Sequence, residues 1–160
     1  MNTPFVLLWT ALLSFLPVSE LRGGIPFAMA NGIPWQWAYP YCAGINALAA
    51  PACWIFLSTL HRLFLKIAWY EQFFDRFVER ARTKLRAPME KWGWLGIAVF
   101  VSIPLPMTGV WTGTLGAWAL GLGKRKTMIA VILGALAAGA VVTAVMSLGG
   151  RAFRVFVKEA

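Results

Sequence analysis

The stretch Pro17-Val18-Ser19-Glu20-Leu21-Arg22-Gly23-Gly24-Ile25-Pro26 decides the fold, because it sets two opposite charges, two glycines and two prolines into an apolar region. From Met1 to Leu60, Glu20 and Arg22 are the only side chains charged at neutral pH. Every other carboxylate falls between Glu71 and Glu90 or at Glu159. Ionisable groups at membrane depth are expensive and mark function.

The membrane reading comes from composition. The chain has 160 residues, 59% of them apolar and 13% charged, with nine tryptophans, whereas a soluble domain of this size is near half apolar and about one quarter charged. Uncharged runs cover Trp37 to Leu60, Trp92 to Gly123 and Thr127 to Gly150, each at or beyond the roughly 20 residues that span a bilayer as helix. A single all-α membrane domain over 1–160 is expected. A signal peptide is the competing reading of the first thirty residues, since Ala28-Met29-Ala30 looks like a cleavage site. Against it, no Lys or Arg precedes the apolar run, and Glu20, Arg22 and two prolines would fall inside the cleavage region. Cys42 and Cys53 lie on one expected helix, about 16 Å apart in rise, too far to bridge, and no metal-ligand spacing is present.

A net charge of +9 does not point to nucleic acid, because the basic residues gather in short tracts beside apolar runs. Eight of the fifteen Lys and Arg lie between Leu60 and Trp92. Within it, Phe64, Ile67, Phe74, Phe77, Ala81 and Leu85 recur at three- or four-residue spacing, with Arg76, Arg80, Arg82, Lys84 and Arg86 largely elsewhere. The segment 61–91 therefore reads as an amphipathic cytoplasmic connector, either lying on the membrane surface or packed on its own protein.

The flanking parts share a layout, 1–60 as first repeat and 92–150 as second, followed by a basic tail, 151–160. Each repeat has an apolar arm, a Pro/Gly break and a long span. The first arm is Phe5 to Leu16, its break runs through Glu20, Arg22, Gly23, Gly24 and Pro26, and its span is Trp37 to Leu60. The second arm is Trp92 to Ile103, its break is Pro104-Leu105-Pro106-Met107-Thr108-Gly109, and its return arm carries Trp111, Thr112, Gly113 and Gly116 before the span Thr127 to Gly150. Twelve residues rise only about 18 Å against a hydrocarbon core of about 30 Å, so the arms are expected to enter and turn back as re-entrant hairpins. Both breaks are expected to be non-helical, and non-helical backbone at that depth must line a cavity or be buried in protein. Paired breaks in two repeat halves point to a transport site. Hairpins place both the connector and Lys124-Arg125-Lys126 in the cytoplasm. A plain four-span bundle moves the triplet outside, yet each arrangement leaves eleven basic residues inside and three outside, so the charge count does not choose.

The segments Glu20-Leu21-Arg22-Gly23-Gly24-Ile25-Pro26 and Ile103-Pro104-Leu105-Pro106-Met107-Thr108-Gly109-Val110-Trp111-Thr112-Gly113 resemble the small multidrug export proteins, over nearly the whole chain. That family looks like a compact branch of the DedA superfamily. The resemblance implies an inverted repeat of re-entrant hairpins in the inner membrane, lipid or small-molecule translocation, and a match of Glu20 to the embedded acid of the first hairpin. Arginines found in the second hairpin of larger DedA proteins have no counterpart here, where Thr108 and Trp111 stand.

Independently of any family, a carboxyl group in a low-dielectric cavity has its charged form disfavoured and so can exchange protons near neutrality. In an extended segment Glu20 and Arg22 would share a face. Glu20 is therefore expected to carry a proton, and Arg22 to hold an anionic substrate group or to serve as counter-ion. A static pair pinning the hairpins is the rival reading. The expected substrate-facing set is Arg22, Gly23, Gly24, Pro26, Asn46, Pro104, Pro106, Thr108, Gly109, Trp111, Thr112 and Gly113, with no catalytic residue, no metal and no cofactor. Asn46 also suits a helix-to-helix hydrogen bond, and Ala130, Gly134 and Ala138 form a close-packing face for the other repeat or a second subunit. His61 reads as an interface residue, and Trp35, Trp37, Trp92 and Trp94 as interfacial anchors. One embedded acid does not make an intramembrane enzyme. A transporter working with membrane lipids, protons and a lipophilic or anionic substrate is expected, with a non-transporting membrane-organising protein as the alternative.

Overall fold

The computed structural model describes residues 3–59, 68–104 and 108–158, and all regular structure in them is helical. In chain order the elements are α1 (Thr3–Phe15), α2 (Glu20–Ala30), α3 (Trp35–Thr59), α4 (Ala68–Trp92), a 3₁₀ turn (Gly93–Leu95), α5 (Gly96–Ser102), α6 (Val110–Ala119) and α7 (Lys124–Lys158). His61, Phe64, Ile67 and Pro106 lie outside the described residues.

Two helices are long and apolar enough to cross a bilayer, Trp35–Thr59 with mean hydropathy 1.4 and Lys124–Gly149 with 2.5. They run antiparallel: Leu57 near the end of α3 packs with Leu115 and Trp118 of α6, at the end of the bundle from which α7 departs, while the Tyr39 hydroxyl near the start of α3 donates to the Leu136 carbonyl farther along α7, 3.0 Å away. Around this pair the two halves exchange partners. α2 of the first half packs on α7, and α6 of the second packs on α3. The apolar core joins them through Leu21, Ile25, Cys42, Ile97, Val101, Val110 and Val131.

The first break differs from the expectation of a non-helical segment. Only Leu16–Ser19 leave the helix, and Glu20 to Pro26 form most of α2. Packing overrides propensity here: a Cβ on Gly24 would stand 2.0 Å from Ser14 Oγ, so the glycine lets α2 lie against α1. Ser19 Oγ donates back to the Leu13 carbonyl, closing the turn. Arg22 is thus helical, and Glu20 heads the helix at φ +49°, so neither is extended. The second break is extended where it is described, with Ile103 in the β region and Gly109 at φ −91°, ψ −165°. Its preceding arm is also shorter than expected. Trp92 ends α4, and α5 has seven residues, about 10 Å of rise.

α4 packs on its own protein. Ala81 and Leu85 are wholly buried and Phe74 nearly so, and Leu85 sits where a Cβ on Gly116 of α6 would be, 2.2 Å away. Its basic face stays exposed, and Arg82 Nη2 donates to the Ala119 carbonyl at the end of α6, 2.7 Å away. That contact sets the α4 basic face at the same end of the bundle as Lys124-Arg125-Lys126. Gly134 meets Ala98 O at 2.6 Å and Val101 Cβ at 2.7 Å from an added Cβ, so at this position the small-residue face of α7 receives α5 of its own half. Trp35, Trp37 and Trp92 are exposed at helix ends.

Candidate functional site

The site begins at a helix that cannot cap itself. α6 opens at Val110 after the extended break, and its N-cap is Gly109, which has no side chain to offer. The first N–H groups of a helix have no partner within the helix, and here they point into protein. Glu20 supplies the acceptors from the other half: Val110 N donates to Oε2 at 3.1 Å and Trp111 N to Oε1 at 3.4 Å. A carboxylate at the positive end of a helix also gains from the macrodipole. Glycine at 109 leaves the space that the carboxylate occupies, since a Cβ there would fall 1.8 Å from Glu20 Oε2.

Glu20 is held for this task. It is 7% exposed and sits at φ +49°, the one non-glycine residue described with positive φ. That left-handed conformation costs a side-chain-bearing residue about 1–3 kcal/mol and persists where surrounding structure enforces it, often at functional positions. It turns the chain out of the Leu16–Ser19 link so that the carboxylate heads α2 and faces α6. Asn46 of α3 lies near enough for its side chain to act on the same carboxyl. Asn46 stands about half-way along the 25-residue α3, so the acid lies level with the middle of a span.

Arg22 points to the same break by another route. Its Nη2 donates to Thr108 Oγ1 at 3.0 Å, and that hydroxyl donates to the Ile103 carbonyl at 2.7 Å. Glu20 and Arg22 make no ion pair with each other; the salt bridge found among the described residues is the exposed Arg86–Glu90. Each charge of the first half instead grips the backbone or hydroxyl of the second. The second half answers through Trp111, whose indole N–H donates to the Phe15 carbonyl at 2.8 Å while its ring meets Phe15 edge-on.

Of the residues expected from sequence, the structure gathers Glu20, Arg22, Asn46, Thr108, Gly109 and Trp111. Gly24 serves the α1–α2 contact, with Ser14 Oγ 2.0 Å from its added Cβ, and Gly23 faces the α2 N-cap, with Ser19 Cβ 2.7 Å from its own. Gly113 faces Val101 at 2.5 Å from its added Cβ, Thr112 is buried, Pro26 lies inside α2, and Pro104 is exposed at the start of the break. Sequence reasoning missed Arg82, at the far end of α6, and the two backbone donors that Glu20 serves. A helix start preceded by Gly109 instead of Ser, Thr, Asp or Asn was the available sign that an acceptor must come from elsewhere. A separate crevice between the start of α1 and the α2–α3 turn is lined by Val6, Leu7, Asn31, Ile33 and Trp37 among others. It holds no ionisable side chain.

A family model described as "Putative small multi-drug export protein" matches residues 20–141. No curated protein and no solved structure matches the chain. The family is one of export proteins, not an enzyme class, and with two apolar helices of spanning length it makes this a membrane protein. Because the matched region runs from Glu20 through the second break and covers well over half of the sequence, the chain belongs to the small multi-drug export protein family.

Proposed function

We propose that the protein is a proton-linked transporter of a lipophilic or anionic small molecule or lipid, with Glu20 as the proton carrier. The observation that carries this reading is the Glu20 carboxylate on the N-terminus of α6. The bond joins the two halves through a group whose charge can be switched. Taking up a proton removes the charge that the α6 N-terminus attracts and turns one acceptor oxygen into a donor, which the two backbone N–H groups cannot use. Protonation therefore loosens the contact between the halves, and Arg22 with Thr108 becomes available to an anionic group of the substrate.

The membrane arrangement that fits is two re-entrant hairpins, α1–α2 and α5–α6, beside the spans α3 and α7. α1 and α2, of 13 and 11 residues, are too short to cross about 30 Å, and their tip lies level with mid-α3. The basic face of α4 and the Lys124–Lys126 triplet at one end of the bundle suit a cytoplasmic face, in a multi-pass inner-membrane protein. A relation to the DedA superfamily agrees with such hairpins.

The burial of Glu20 and the bonds made by both charges favour a second reading, a membrane-organising protein in which these residues only lock the fold. Proton movement separates the two. In phosphatidylcholine vesicles loaded with a pH-sensitive dye, tetraphenylphosphonium and an isoprenyl phosphate serve as probes for the cationic and anionic cases. Probe-dependent proton flux that disappears in Glu20→Gln is expected. Flux retained in full by Glu20→Gln would remove the proton role, and no flux with any probe would favour the organising protein.

A further inference from the structure

Asn46 is 1% exposed in the middle of α3. On α3 it stands between Cys42, whose Sγ lies 3.3 Å from an added Cβ on Gly24 of α2, and Cys53, whose Sγ donates to the Trp111 carbonyl, which puts it beside Glu20; yet its Oδ1 has no hydrogen-bond partner. An unpaired buried acceptor is costly, and the neighbouring buried positions of α3, Cys42, Ala43, Ala49 and Ala50, have small side chains without this cost. The missing partner is a donor. The Val110 and Trp111 N–H groups are taken by Glu20, and Arg22 is on Thr108. Arg22 is also the charged group that acts on Glu20. α1 and α6 carry no charged side chain, the ionisable groups of α3 are Tyr39, Tyr41, Cys42 and Cys53, and the charges of α7 are Lys124, Arg125 and Lys126 in its first turn and Arg151, Arg154 and Lys158 in its last turns. The group beside Asn46 that can change from acceptor to donor is Glu20 itself, on taking up a proton.

We propose that Asn46 is the hydrogen-bond partner of the proton on Glu20, donating its amide N–H to the ionised carboxylate and accepting the O–H of the protonated acid at Oδ1. This inference rests on the proton-carrier reading above. The exchange needs a half turn about the last side-chain torsion of Asn46, which is broad and nearly two-fold. A proton arriving from water forms the Glu20 O–H bond and leaves by the same bond, so no other group changes protonation. Asn46 is thereby a positioning residue: it gives each state of Glu20 a complementary bond when the α6 cap is released.

Infrared difference spectra between acid and neutral pH, taken on the full chain in phosphatidylcholine vesicles, test this through the carboxylic acid C=O stretch. The wild-type spectrum should contain a band that is missing in Glu20→Gln. In Asn46→Leu that band should move to higher wavenumber, as a carboxyl group without a hydrogen-bond acceptor does, and Asn46→Gln should restore it. A band unmoved in Asn46→Leu overturns the role of Asn46 while leaving the proton reading standing. No band lost in Glu20→Gln overturns both. Should Asn46→Leu not reconstitute, wild-type protein with ¹³C at the asparagine amide carbonyls gives the same answer, since the chain has only Asn2, Asn31 and Asn46. The labelled amide band should shift on acidification and not do so in Glu20→Gln; an amide band that stays still in the wild type overturns the proposal.

Discussion

The Glu20 carboxylate accepts the backbone N–H of Val110 at 3.1 Å, across ninety residues of sequence. It caps a helix that lacks a capping side chain of its own. At the opposite end of the same helix, Arg82 donates to the Ala119 carbonyl. An acid at the amino end and a base at the carboxyl end, each from another part of the chain, are the charges that the α6 dipole favours.

Glu20→Gln keeps an oxygen acceptor but loses the charge, and should cost about 0.5–2 kcal/mol. Glu20→Leu leaves two buried N–H groups without partners and should cost about 1–3 kcal/mol for each. Thermal unfolding in detergent should therefore rank wild type above Glu20→Gln, with Glu20→Leu lowest; equal melting of the two variants would contradict the cap.

Gly109→Ala puts a methyl group into the space of the Glu20 carboxylate and should displace it from α6. The change should lower stability by about 1–3 kcal/mol in the wild type. Because both substitutions act on one contact, combining it with Glu20→Leu should cost clearly less than the sum of the two. Additive losses in the double-mutant cycle would separate Gly109 from Glu20.

Arg82→Ala removes a favourable charge at the α6 C-terminus and should cost about 0.3–1 kcal/mol. Arg82→Glu should be worse, because it sets a negative charge against the negative helix end. Both effects should shrink as salt is raised, and melting curves at low and high ionic strength give the comparison.

Single cysteines at Arg80 and Arg125, introduced into a chain with Cys42 and Cys53 replaced, should be modified by a membrane-impermeant maleimide from the same side of the membrane. Labelling of position 125 from the outside alone would exclude the hairpin arrangement and leave the four-span bundle.

Much of this was legible in the residues. Period and composition placed α3 within two residues at its start and showed that a break must separate Ile103 from Val110, since Pro104 offers no N–H to a helix. The first break was misread for a definite reason: Gly23 and Gly24 weaken a helix in isolation, but the absent Cβ at Gly24 leaves room for Ser14 and so lets α2 pack on α1. Likewise the pattern of α4 showed an apolar face, and only the contacts of Ala81 and Leu85 with α6 showed what covers it.

By itself the sequence determined that this is a helical membrane protein with one acid among its apolar segments, because hydropathy, charge and proline act locally and are written in residue type. What the acid touches was decided by tertiary structure. Its partners are the backbone N–H groups of Val110 and Trp111, and such groups are nearly the same in every residue, so no letter of the sequence marks them. Arg22, two positions from Glu20, looked like its partner by proximity; the helical turn of α2 and the positive φ of Glu20 send the two charges to different atoms of the second half instead.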